Sequence, residues 1–104
     1  MTLETYILHG KTPVRCENPL EWSMWFQKAD RVVRQTQTQE VVVSTVFTGI
    51  DHSYELNSIP LLFETVIFGG EHDGETWHYH SWEGAEEGHK AACIVAGIGG
   101  QGDE

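Results

Sequence analysis

"LLFETVIFGGEHDGETWHYHSWEGAEEGH", residues 61–89, decides the fold. The opening "LLFETVIF" carries apolar side chains on both faces, Leu61, Phe63 and Ile67 on one and Leu62, Val66 and Phe68 on the other, before Gly69 and Gly70 end it. A strand apolar on both sides belongs in the middle of a sheet with at least part of each face covered. Glu64 interrupts the pattern, and a carboxylate there must lie near an edge of the burial, be paired, or be functional. Asp73-Gly74 is a turn signal between strands. "ETWHYHSW" then alternates strictly, with Trp77 and Tyr79 on one face and Thr76, His78 and His80 on the other. Ser81 caps a closing helix with the inward stripe Trp82, Ala85, His89, Ala92, Cys93 and Ala96. Glu83 falls in its first turn, where the helix dipole favours negative charge.

Upstream, "VVVSTVFTGI" (41–50) reads as another central strand, and "DHSYELNSIP" (51–60) as a polar connector. "NPLE" is a helix start, with Asn18 as cap, Pro19 at the first helical position and Glu21 three residues after the cap. Trp22, Trp25, Phe26, Ala29, Val32 and Val33 recur at helical spacing, which predicts an amphipathic helix over 19–35. "TYILHG" opens the chain as a short strand closed by Gly10, and "KTPVRC" is a connector. The expected order is β-α-β-β-β-α. Three consecutive strands joined by turn-rich segments favour an antiparallel sheet of about four strands, with two helices packed on one face of a two-layer α+β fold. Residues 1–98 are expected to form one domain, with 99–104 a flexible acidic tail.

Sixteen acids stand against six Lys and Arg, a net charge of −10. No Lys or Arg occurs between Arg34 and Lys90, whereas ten acids do. That asymmetry disfavours direct binding to nucleic acid or anionic membrane and favours a basic protein surface or a cation. The residues expected to present it are Glu71, Asp73, Glu75, Glu83, Glu86 and Glu87. Plain solubility explains the same charge equally well. Cys16 and Cys93, far apart and outside any Cys-x-x-Cys pair, point to free thiols in a reducing, cytoplasmic setting. The N-terminus lacks the pattern of a secretion signal, and no apolar run has the length of a membrane helix.

His78 and His80, two residues apart on one strand face, stand about 6–7 Å from each other along it, a separation a divalent metal could bridge. His72, Glu75 or His52 could supply a third ligand. Two solvent-facing strand histidines are the plainer alternative, so no metal and no cofactor is expected. His89 lies on the apolar stripe of the last helix and is expected to be partly buried and hydrogen-bonded through one nitrogen. Asp51-His52, after a strand, could pair an acid with an imidazole. The chain has no nucleophile elbow, no Cys-His signature and no phosphate-cradling glycine loop, so an enzyme is not expected.

Through "WSMWFQKAD", "VSTVFTGIDHS", "PLLFETVIFGGEHDG" and "YHSWEGAEEGH" the chain resembles a family of small uncharacterised proteins of tailed bacteriophages and prophages. The match runs over roughly residues 4–95. The resemblance implies phage origin without an assigned reaction. It marks Asp51, His52, Glu64 and His89 as matching polar positions; His78, His80 and Gly84 depart from the family pattern.

Three functions follow as expectations. The first is a phage accessory protein, an acidic inhibitor of a host or defence-system protein, such as a CRISPR component, with a basic surface. The second is a module sequestering a small ligand such as a nucleotide signal, in a pocket drawn from Asp51, His52, Glu64, Trp77, Tyr79 and His89. The third is a metal-dependent hydrolase using His78 and His80. Self-association as a homodimer stays open.

Overall fold

The computed structural model describes residues 4–53 and 58–98; the expected tail at 99–104 lies outside them. Two helices accompany a four-stranded antiparallel sheet and a separate two-stranded hairpin, an α+β fold. The hairpin pairs β1 (Tyr6–His9) with β2 (Thr12–Arg15) around Gly10, whose φ of 64° suits glycine. Residues 12–15, expected as a connector, are therefore a strand. The two-residue gap before Thr12 lets "TPVR" fold straight back on "YILH", and Pro13 is tolerated because no third strand needs its missing N–H. The hairpin joins the main sheet's end through Tyr6 N–H to the Gly49 carbonyl at 2.8 Å and a Thr5–Ile50 bridge.

α1 (Pro19–Lys28) starts as its sequence demands, with the Asn18 side chain accepting from the Leu20 and Glu21 amides. It stops seven residues short of the expected Gln35. Ala29 is extended, and the Asp30 carboxylate takes the Val32 N–H at 3.1 Å, turning the chain out of the helix. Residues 32–37 form β3 (Val32–Gln37) instead. Val32 and Val33 fit the helical stripe by spacing, yet β-branched residues fit a pleated strand better, and pairing with β4 decides the conflict. Arg31 locks the corner: its backbone accepts from Phe47 N–H at 2.8 Å, and its guanidinium donates to the Phe47 carbonyl at 3.0 Å while lying over the Phe26 ring.

The main sheet runs in the order β3-β4-β5-β6, with β4 (Val42–Phe47) and β5 (Phe63–Phe68) central and β6 (Thr76–Tyr79) on an edge. α2 (Trp82–Val95), capped by the Ser81 hydroxyl on the Gly84 amide at 2.9 Å, packs against all four strands. α1 approaches the same side, where Trp25 stands edge-on to Phe47 with ring centroids 5.9 Å apart.

The inward face of β4 and β5 places Val43 opposite Ile67, Thr45 opposite Thr65, and Phe47 opposite Phe63. It makes two apolar clusters. Val43 and Ile67 pack with Ala92 and Cys93 at one end, and Phe47 and Phe63 with Leu62 and Ala85 at the other. Between them runs a buried polar band of Thr45, Thr65 and His89. Tyr79 fits over α2 because residue 88 is glycine; a Cβ there would fall on the Tyr79 ring. No helix among the described residues is long and apolar enough to cross a membrane.

Candidate binding cleft

The outward face of β5 and β6 carries Glu64 and His78, which the antiparallel register sets directly opposite each other. Cross-strand neighbours on one face approach closely, and His78 Nε2 lies 3.1 Å from Glu64 Oε2. The carboxylate that interrupted the apolar strand is thus paired. Each side chain is a little under one-third exposed.

The third member arrives from the connector. Asp51 holds both ends of it: Oδ1 accepts the Ser53 and Leu61 amides at 2.8 and 3.0 Å, and Oδ2 accepts the Ser53 hydroxyl at 3.1 Å. Desolvation pushes the Asp51 carboxyl up, but the hydrogen bonds from Ser53 and Leu61, together with the neighbouring His52, outweigh it and hold the pKa below the usual aspartate value. His52 donates its backbone N–H to the Leu61 carbonyl at 2.9 Å, so its ring is delivered onto His78, centroids 4.6 Å apart and inclined by 27°. One ligand atom from each of His52, Glu64 and His78 falls within 4.8 Å of the others.

These groups border an open cleft of about 540 Å³ lined by His52, Ser53, Ser58, Ile59, Leu61, His78 and His80. His80 shares it but turns its Nδ1 to the Pro60 carbonyl at 3.0 Å. That bond requires a proton on Nδ1. The residues whose ligand atoms come together are thus His78 with Glu64 and His52, and not the His78–His80 pair considered from spacing.

The other expected pocket residues lie elsewhere. Trp77 and Tyr79 face inward against the two core clusters, on the opposite side of β6 from His78. His89 is 1 % exposed and is held through both nitrogens, Nδ1 by Thr45 at 2.7 Å and Nε2 by Thr36 at 2.8 Å, where one bond was expected. Burial, then the charge of Arg34, pulls its pKa below the ordinary histidine value. The six acids are spread rather than gathered. Glu71 borders Val95, the last residue of α2, and Gly97 just after it, whereas Glu83 is in the first turn of that helix, about 18 Å along it from Val95. Asp73 accepts the Gly69 amide at 2.6 Å, Glu75 binds His72 at 2.6 Å and raises the His72 pKa, and Glu87 meets Lys90 at 3.3 Å. Glu86 is half-buried on α2.

Ser53, Ser58, Ile59 and Leu61 were not legible as lining residues. The one signal was a polar connector holding Asp51-His52 next to a strand that contains an unexplained glutamate. Compared with known protein families, with characterised proteins and with solved structures, the chain matches none.

Proposed function

We propose that the protein is a binding module whose working site is this cleft, and that it takes a small neutral or cationic ligand there. One observation carries the proposal: three imidazoles and two serines from separate segments converge on a single cleft of about 540 Å³, with Ile59 and Leu61 as its apolar surface. Clefts of this size with a few convergent polar groups are the usual form of a small-ligand site. Glu64 beside the cleft, Asp51 behind it and the net charge of −10 weigh against an anion such as a nucleotide. An acidic surface meeting a basic partner is supported by charge alone: its acids divide between the segment joining β5 to β6 and α2, and Asp73, Glu75 and Glu87 are already engaged.

The test is amide-resolved NMR of the tag-free protein against a panel of small amines, neutral heteroaromatics and divalent metal ions. Saturable shifts at Ser53, Leu61, His78 and His80 are expected, with the organic compounds displaced by Ile59→Trp, which fills the cleft. A panel that leaves these resonances unmoved removes the proposal.

A further inference from the structure

The donor set at the cleft specifies more than a generic cation. We propose that His52, Glu64 and His78 form a three-residue site for a divalent transition metal of the zinc type, its remaining coordination position opening into the cleft. This deepens the cleft reading and rests on it.

Two imidazole nitrogens and one carboxylate oxygen are borderline donors. They suit zinc and its first-row neighbours better than calcium or magnesium, which prefer oxygen alone, and better than thiolate-seeking ions. Both described cysteines are buried away from the cleft. Ligands about 2.1 Å from a tetrahedral zinc stand about 3.4 Å from one another. Glu64 and His78 already lie at 3.1 Å, and no separation in the trio exceeds 4.8 Å, so the stacked rings would have to turn and draw together to close on the ion.

The supports are built in. Glu64 and His78 are fixed by strand register, and His52 by its bond to Leu61 and by the Asp51 clamp beside it. Such preorganisation is what a metal site needs from its surroundings. One carboxylate against a dication leaves a net positive centre, which the surrounding acidic chain favours. Three protein ligands leave the fourth position for water or a ligand atom entering past Ser58 and Ile59. His80, with its Nδ1 turned to Pro60, is a cleft neighbour of the ion and lies outside the trio. A plain cross-strand Glu64–His78 ion pair accounts for that one contact, but leaves unexplained why a clamped connector stacks a second imidazole on it.

Isothermal titration of metal-free, tag-free protein with zinc chloride tests the proposal, with cobalt(II) absorption reporting coordination. One zinc per chain is expected, with a rise in melting temperature, and at least a tenfold loss of affinity in each of His52→Ala, Glu64→Gln and His78→Ala. Glu64→Gln keeps a hydrogen-bonding group opposite His78, and far-UV dichroism of each variant confirms folding. His72→Ala, altering the exposed His72–Glu75 pair, is expected to leave zinc binding unchanged. No saturable zinc binding, or binding that survives both Glu64→Gln and His78→Ala, overturns the site. Organic ligands that shift the cleft resonances without zinc binding would defeat the metal alone, and silence from both would defeat the cleft as well.

Discussion

Thr45 Oγ1 lies 2.7 Å from His89 Nδ1 in a layer where neither residue is more than 1 % exposed, and the same hydroxyl meets Thr65 Oγ1 at 2.5 Å. His89→Leu would leave the Thr45 hydroxyl without this partner between apolar clusters, and the half-buried Thr36 hydroxyl without it at the edge strand. A loss of about 2–4 kcal/mol in unfolding free energy is expected, measured by urea denaturation. Thr45→Val removes one hydroxyl at nearly constant volume and is expected to cost about 1–2 kcal/mol.

The same imidazole makes stability depend on pH. Burial first, and Arg34 second, lower its folded pKa, so the neutral ring is the native form. Its contribution is complete above the unfolded value of about 6.5 and declines as pH falls through that value toward the folded pKa, because the unfolded chain takes the proton first. The urea midpoint is expected to fall between pH 7.5 and pH 5.5, and His89→Gln to flatten that slope. An unchanged slope in the variant would refute the assignment.

Asp51 acts at lower pH. Its folded pKa is depressed, so its stabilisation is present above the unfolded value of about 3.9 and is lost as pH falls below it. Asp51→Ala removes three accepted hydrogen bonds and is expected to cost about 1–3 kcal/mol. Amide exchange localises the effect: Leu61 N–H should exchange faster, while Val43 and Thr65 change only with global stability.

Gly88→Ala would raise helix propensity by about 1 kcal/mol, yet the new methyl falls on the Tyr79 ring. Overpacking is expected to prevail, for a net destabilisation of about 1–2 kcal/mol. In a Tyr79→Ala background the sign should reverse, and a double-mutant cycle by chemical denaturation measures the coupling.

Much of this architecture was legible because local signals agreed. Asn18 and Ser81 start helices where their side chains can take amides, and β4, β5 and β6 alternate as sheet strands must. β3 was not legible, since Val32 and Val33 satisfy both a helical stripe and a strand; only the Asp30 turn and pairing with β4 choose between them. The site was half legible. His52, Glu64 and His78 each stood out, but spacing rules compare residues close in sequence, which promoted His78 with His80. The trio comes instead from a connector and two strands, joined by the Glu64–His78 register and by the return of the chain at Leu61. The phage-family resemblance rests on its motifs alone.

The polar band in the core also works as a key for strand alignment. A slip of β5 against β4 by two residues would keep every inward side chain inward, so burial alone discriminates against it weakly. It would, however, set Thr65 opposite Val43 or Phe47 instead of Thr45, parting hydroxyls that now satisfy each other and His89. Each stranded hydroxyl disfavours the slipped pairing by about 1–3 kcal/mol. Because His52 lies on the connector that joins β4 to β5, the threonine match also sets where that imidazole falls on the outer face, while the β5–β6 register separately holds Glu64 opposite His78.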